Sequence, residues 1–176
     1  MTNRRSNVVT LKNNPVTLIG PEVQVGDKAP DFEVSDHNLS KINLKDTSGK
    51  VRLIITVPSL DTPVCDKETR DFSEKVSSFG DDVTLLVISS DLPFAQKRWC
   101  GGAGLSNVQT LSDHFNMSFG GSYGTHIEEL RLNCRAVFVV DANDKVTYVE
   151  YVQETTDYPD YQKALEAVKE ALQLVK

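Results

Sequence analysis

Three cysteines, at positions 65, 100 and 134, are the residues of this 176-residue chain best suited to nucleophilic or redox chemistry. Cys65 has the most telling position. It closes the stretch Pro58-Ser59-Leu60-Asp61-Thr62-Pro63-Val64-Cys65, directly after an apolar run over residues 51–57. A strand ending with that run and a helix starting at Thr62-Pro63 would place the thiol in the helix's first turn. Thr is a favoured N-cap and Pro a favoured first helical residue. Cys65 would be the third helical residue, whose backbone N–H the Thr62 hydroxyl would normally cap. Free N–H groups and the positive end of the helix dipole would surround the sulfur, a setting in which cysteines are reactive. The competing reading is a buried small hydrophobe, since free cysteine is among the most buried residue types.

The other two cysteines have different company. Cys100 follows Trp99 and precedes Gly101-Gly102-Ala103-Gly104, with a buried helical residue as its second reading. Cys134 adjoins Arg135. Neighbours on a strand face opposite sides, so Cys134 should point away from Arg135 and read as a core residue, with a regulatory or alternative resolving thiol as the second reading. Arg135 itself could be no more than one half of an ion pair at a strand edge. The residue three after Cys65 is Glu68, so a Cys-x-x-Cys dithiol is absent. The histidines at 37, 114 and 126 share no metal-ligand spacing with each other or with the cysteines, so no metal site is expected, although His126 could border the pocket. The glycines at 101, 102 and 104 follow a predicted helix rather than a strand and are not a dinucleotide fingerprint. With no haem, flavin or nicotinamide motif, no cofactor is expected and the cysteines would be the whole redox centre.

Composition narrows the setting. At 39% hydrophobic and 25% charged residues the chain reads as an ordinary soluble domain. Its net charge is −6, with no dense basic run beyond Arg4-Arg5, which argues against nucleic-acid binding. Residues 1–7 are polar without an apolar h-region, and Lys12-Asn13-Asn14 interrupts anything resembling a twin-arginine signal. No stretch has the length of a membrane span. The Asn38-Leu39-Ser40 and Asn116-Met117-Ser118 sequons mean nothing without secretion. An odd, sparse set of cysteines is no disulfide framework, and in a reducing compartment such residues point to catalysis. The expectation is a cytoplasmic protein forming one domain over residues 1–176.

The elements that would hold Cys65 are read from periodicity. Residues 8–19 alternate about Asn13-Asn14 and predict an N-terminal hairpin extension within residues 1–20. Short strands are expected at 32–35 and 42–44, and strands buried on both faces at 51–57 and 83–89. Between the last two, Cys65, Phe72, Val76 and Phe79 form one helical stripe, with Gly80 ending the helix and Lys67, Asp71 and Lys75 spaced for ion pairs. Strand–helix–strand in this order predicts a parallel pair. A shorter helix is expected over 93–100, followed by a flexible glycine loop. Residues 136–140 and 146–152 flank Asn143-Asp144 as an antiparallel hairpin. Tyr161, Ala164, Leu165, Val168, Leu172 and Val175 form the stripe of a final helix, with Tyr158 and Tyr161 as core residues. This is an α/β order, with a central mixed sheet flanked by helices in the manner of thioredoxin.

The spacing Pro58-x-x-x-Thr62-x-x-Cys65 resembles the active-site motif of peroxiredoxins, and Pro-Ser-Leu-Asp-Thr-Pro-Val-Cys is similar to the thiol peroxidase subfamily, the atypical two-cysteine peroxiredoxins. The resemblance extends through Val16-Thr17-Leu18-Ile19-Gly20, Gly26-Asp27-Lys28-Ala29-Pro30-Asp31-Phe32, Arg98-Trp99-Cys100-Gly101, Thr110-Leu111-Ser112-Asp113 and Arg135-Ala136-Val137-Phe138. It implies a thioredoxin-like fold and an enzyme that reduces hydrogen peroxide and alkyl hydroperoxides. Cys65 would be the peroxide-attacking thiolate, and Cys100 would condense with its sulfenic acid to an intrachain disulfide. Thr62 and Arg135 would donate to thiolate and peroxide, and Pro58 would shield the sulfur. Thioredoxin as reductant and a homodimer as assembly are also implied by the resemblance alone.

Ionisation cannot supply such an activity by itself. A free thiol is only about 3% thiolate at pH 7, so full ionisation gains at most ~30-fold. That is roughly 2 kcal/mol, against the millionfold or more common in enzymes. Positioning of the peroxide and stabilisation of the departing oxygen must supply the rest. Two other functions fit the cysteines: a redox-sensing interaction protein switched by a Cys65–Cys100 bond, and a general thiol–disulfide oxidoreductase, which the missing Cys-x-x-Cys disfavours.

Overall fold

The computed structural model describes residues 3–174. The chain opens with the hairpin β1 (Arg4–Leu11) and β2 (Asn14–Ile19), paired antiparallel. Its turn residues Lys12 and Asn13 both take positive φ, the twist that two-residue hairpin turns prefer. The short β3 (Glu33–Ser35) and β4 (Lys41–Asn43) follow, then β5 (Val51–Thr56), every residue of which is buried. Helix α1 (Pro63–Val76) leads to β6 (Val83–Ser89), parallel to β5 as expected. Helix α2 (Pro93–Ala103) then leads to β7 (Val108–Ser112), parallel to β6. After α3 (Ser118–Tyr123) come the two-residue strands β8 (His126–Ile127) and β9 (Leu132–Asn133), the hairpin β10 (Ala136–Val140) and β11 (Val146–Tyr151), and α4 (Tyr161–Gln173).

The main sheet has the order β11-β10-β5-β6-β7-β3-β4, and a second sheet the order β1-β2-β8-β9. Alternation along the central strands divides the core. Leu53, Ile55, Leu85, Val87, Val137 and Val139 face Phe72, Val76, Ala164 and Val168 of α1 and α4. Ile54, Leu86, Ile88 and Phe138 face the other way, toward Phe32, Phe119 and Tyr123. Each such fully buried side chain contributes roughly 1.5–3 kcal/mol, enough to make the sheet the rigid platform for what its strand ends carry. Val9, Val16, Leu18, Ile127 and Cys134 form a third cluster under the hairpin. Gly124 is required where α3 ends against the chain leaving β2: its φ is +69°, and a Cβ there would lie 2.1 Å from the Pro21 carbonyl oxygen. Among the described residues no helix is long and apolar enough to cross a membrane.

Several expectations need correction. Helix α1 ends at Val76, and residues 77–82 continue as a tighter 3₁₀ turn containing Gly80 at φ +65°, so Phe79 packs from that turn. Lys67 pairs with Asp71 at 2.8 Å, but Lys75 lies over the Tyr161 ring instead of on Asp71. Helix α2 runs through Gly101 and Gly102 to Ala103 and stops only at Gly104, whose left-handed φ of +68° caps it. The expected flexible loop is thus a helical turn. Tyr161 packs on Phe72, whereas Tyr158 precedes α4 and is 44% exposed. Val175, placed at the end of the α4 stripe, lies outside the described residues. Strand β7, the strands β8 and β9, and helix α3 have no counterpart in the periodicity reading.

Candidate active site

Strand β5 delivers the chain to the site, and the loop after it is pinned. The Ser59 hydroxyl donates to Asp91 Oδ1 at 2.6 Å, and the Leu60 N–H to Asp91 Oδ2 at 2.8 Å. The Ser89 hydroxyl donates to the same carboxylate at 2.8 Å, so Asp91 ties the β5–α1 loop to the end of the neighbouring strand β6. Pro58 sits within this braced loop, half-buried. Thr62 occupies the N-cap with extended backbone, and Pro63 opens α1, which makes Cys65 the third helical residue. The cap differs from expectation in one respect. No side chain caps the first turn; the Thr62 hydroxyl donates back to the Ser59 carbonyl at 2.8 Å.

Cys65 is 1% exposed, and its sulfur accepts a hydrogen bond from Arg135 Nη2 at 3.2 Å. Arg135 lies between β9 and β10, seventy residues along the chain, and is itself buried. Its guanidinium is held on three sides: Nε donates to the Thr155 carbonyl at 2.8 Å, Nη1 pairs with Glu68 Oε2, and Nη2 meets the sulfur. A lysine could not keep three such directions at once, because only the guanidinium presents a rigid fork of donors. Against the cost of burial, the Glu68 carboxylate and Cys65 hold the guanidinium above its ordinary value.

Glu68 is the site residue that sequence reading passed over. One helical turn after Cys65, it falls on the same face of α1 and is fully buried. Burial pushes its carboxyl up to about 7, with Arg135 drawing it back toward ionisation. Its Oε1 has no hydrogen-bond partner. The signal was present in the sequence as an acid inside an apolar stripe, but its partner 67 residues away was not. Asp91 was missed for the same reason.

Cys100 sits on the neighbouring helix, half-buried, with its sulfur 3.3 Å from Thr110 Oγ1 of β7. All three cysteines are free thiols. The residues flanking the two cysteines join their helices: Trp99 Nε1 donates to Asp66 Oδ1 at 2.8 Å, and Arg70 lies over the indole. The structure therefore brings Cys65 and Arg135 into contact, sets Pro58 and Thr62 on the loop leading to the sulfur, and keeps Cys100 on Thr110. Cys134 turns the opposite way from Arg135, into the hairpin cluster, where burial pushes its thiol up to about 12. That is the core position its alternation predicted. His126 belongs to β8 in the hairpin sheet, opposite Ile19 and Asn133.

A mixed sheet of this order flanked by helices has known counterparts. Residues 24–165 match the family model Redoxin. The thiol peroxidase of Halalkalibacterium halodurans is 60% identical over 164 residues, covering 93% of this chain and 98% of that protein. Among solved structures, a peroxiredoxin-like protein from Aquifex aeolicus superposes with a TM-score of 0.87 at 42% identity, covering 97% of this chain and 98% of that one. A thiol peroxidase from Chromobacterium violaceum gives 0.85 at 25% identity, covering 94% and 97%. The chain belongs to the redoxin family and stands within it among the thiol peroxidases.

Proposed function

We propose that this peroxiredoxin-type thiol peroxidase uses Cys65 as its peroxide-attacking group and Cys100 as the residue that resolves the product. The observation that carries the reading is the buried Glu68–Arg135–Cys65 arrangement, in which a fixed cation points an N–H at the sulfur. The Cys65 thiolate attacks one peroxide oxygen and the O–O bond breaks. Sulfur is oxidised to the sulfenic acid, and the departing oxygen leaves as water or alcohol after taking a proton. Arg135 donates to the charge that develops along the S–O–O line, the term expected to dominate in a buried site. The Thr62 hydroxyl, which lies one turn before the sulfur and now donates to the Ser59 carbonyl, turns to the peroxide, and Pro58 limits water.

Cys100 then attacks the sulfenic sulfur, forming the S–S bond as the S–O bond breaks and water leaves. A disulfide needs Cβ atoms about 3.8 Å apart, so Cys100 must leave Thr110 and the last turn of α2 must unwind. An external dithiol protein, thioredoxin by family likeness, would reduce the bond by exchange. Hydrogen peroxide and alkyl hydroperoxides are the proposed substrates, the homodimer the proposed assembly and the cytoplasm the proposed location.

The test is intact mass and peptide mapping under denaturing alkylation after one molar equivalent of cumene hydroperoxide. Loss of about 2 Da mapped to a Cys65–Cys100 bridge, and restored by thioredoxin, is the expected result. An unchanged mass with all three thiols alkylated would sink the reading.

A further inference from the structure

Cys100 is tied into a chain of hydrogen bonds that the steps above do not use. Its sulfur lies 3.3 Å from Thr110 Oγ1, and that oxygen lies 2.6 Å from His37 Nε2. The three residues come from α2, β7 and the turn between β3 and β4. Thr110 is 1% exposed and has these two side-chain partners. The turn that presents His37 is braced by Asp36 Oδ1, which accepts from the Asn38 and Ser40 N–H groups.

A hydroxyl has one proton, so its direction orders the chain. When His37 carries its proton on Nδ1, Nε2 accepts from Thr110, and the threonine lone pair faces the Cys100 S–H. Shifting both protons toward the ring reverses every donor: the imidazolium donates to Thr110, and Thr110 donates to a Cys100 thiolate. Burial lowers the His37 pKa from its ordinary value, with Lys97 of α2 adding to the effect and Asp36 of its own turn opposing it. Burial thus favours the neutral ring, the form that has a lone pair to offer Thr110.

We propose that Thr110 and His37 form a proton relay that draws the proton from Cys100 for disulfide closure. The proposal rests on the reading of Cys100 as the resolving residue. While Cys100 is docked on β7, its S–H proton passes to Thr110 Oγ1 as the threonine proton passes to His37 Nε2. The last turn of α2 then unwinds, and the thiolate so formed leaves Thr110 and forms the S–S bond with Cys65 as the sulfenic S–O bond breaks. The leaving hydroxide takes a proton from solvent and departs as water, and the imidazolium releases its proton to solvent, which restores the relay. His37 acts through Thr110 and touches neither peroxide nor Cys65.

The test is a single turnover of the reduced full chain with one equivalent of cumene hydroperoxide. Quenched mass analysis resolves sulfenate formation from disulfide formation between pH 5.5 and 9.5. His37→Gln and Thr110→Val should slow disulfide formation at pH 7 by roughly 10- to 100-fold, the scale of a lost proton-transfer partner. The deficit should close at alkaline pH, where hydroxide takes the proton directly, and Thr110→Ser should restore the wild-type profile. Sulfenate formation should not change. Equal rates, faster closure, or a slowing of the same size at every pH would each overturn the relay, the last two by making the chain a latch or a packing contact. If the wild type forms no Cys65–Cys100 bond, the reading of Cys100 itself falls, which is a different result from any variant effect.

Discussion

The last turn of α2 offers a direct way to test whether disulfide closure waits on unwinding. Gly101 and Gly102 are helical and exposed, and a Cβ built on either meets nothing within 4 Å. The double substitution Gly101→Ala, Gly102→Ala can therefore enter without a clash, and its effect should be that of helix propensity. Each exposed interior Gly→Ala change stabilises a helix by about 0.8–1.0 kcal/mol, so the pair adds about 2 kcal/mol to the wound state. If Cys100 must unwind before it reaches Cys65, that stabilisation is lost from the open population. At about 1.4 kcal/mol per tenfold, disulfide formation should slow roughly 15- to 30-fold. Trp99, the only tryptophan and the immediate neighbour of Cys100, gives a fluorescence signal for the step in a stopped-flow experiment. Sulfenate formation at Cys65 should keep its rate. A double variant that closes its disulfide at the wild-type rate would refute the argument, because it would mean that the helix need not open. A slowed variant should also overoxidise more readily, since its sulfenic acid persists longer in the presence of a second peroxide.

Replacing Arg135 with Ala should slow the peroxide step by well over the ~30-fold that thiol ionisation could account for; a smaller loss in single-turnover rate would reduce its role to tuning the thiol. Glu68 supplies a pH signature. Its carboxyl is raised from 4.5 to about 7, so the native state holds the proton longer than the unfolded chain, and its contribution to stability is full below about pH 4.5 and lost as pH rises through about 7. Urea titrations should show wild-type stability falling relative to Glu68→Gln across that window, and a pH-independent difference would contradict the assignment. Cys134→Ala should leave both reaction phases intact and cost on the order of 1 kcal/mol through the small cavity left among Val9, Val16, Leu18 and Ile127. A loss of disulfide formation in that variant would make Cys134 a participant.

The sequence alone determined what depends on local pattern. The hairpin about Asn13-Asn14, whose turn proved to lie one residue earlier, the apolar run before Pro58, the Thr62-Pro63 helix start and the stripes of α1 and α4 are statements about residues a few positions apart. Steric and capping preferences act at that range, so the placement of Cys65 in a first turn could be read directly. The opposite orientation of Cys134 and Arg135 likewise follows from extended backbone with period two.

Tertiary structure decided the rest, for identifiable reasons. Two glycines hid the true end of α2, because their poor intrinsic propensity is overcome by a Gly104 cap and packing on β7. Strand β7 is too short and too mixed to stand out until β6 pairs with it, and β8 and β9 exist only as additions to the hairpin sheet. The Thr62 hydroxyl chose the Ser59 carbonyl over the helix because Asp91 fixes the loop. Glu68 looked like an ordinary helix acid, yet its burial is tolerable only because Arg135 arrives beside it. Burying either charge without the other costs several kcal/mol. Such pairings carry no local signature: they form when a β-sheet brings together residues that the chain keeps 67 positions apart.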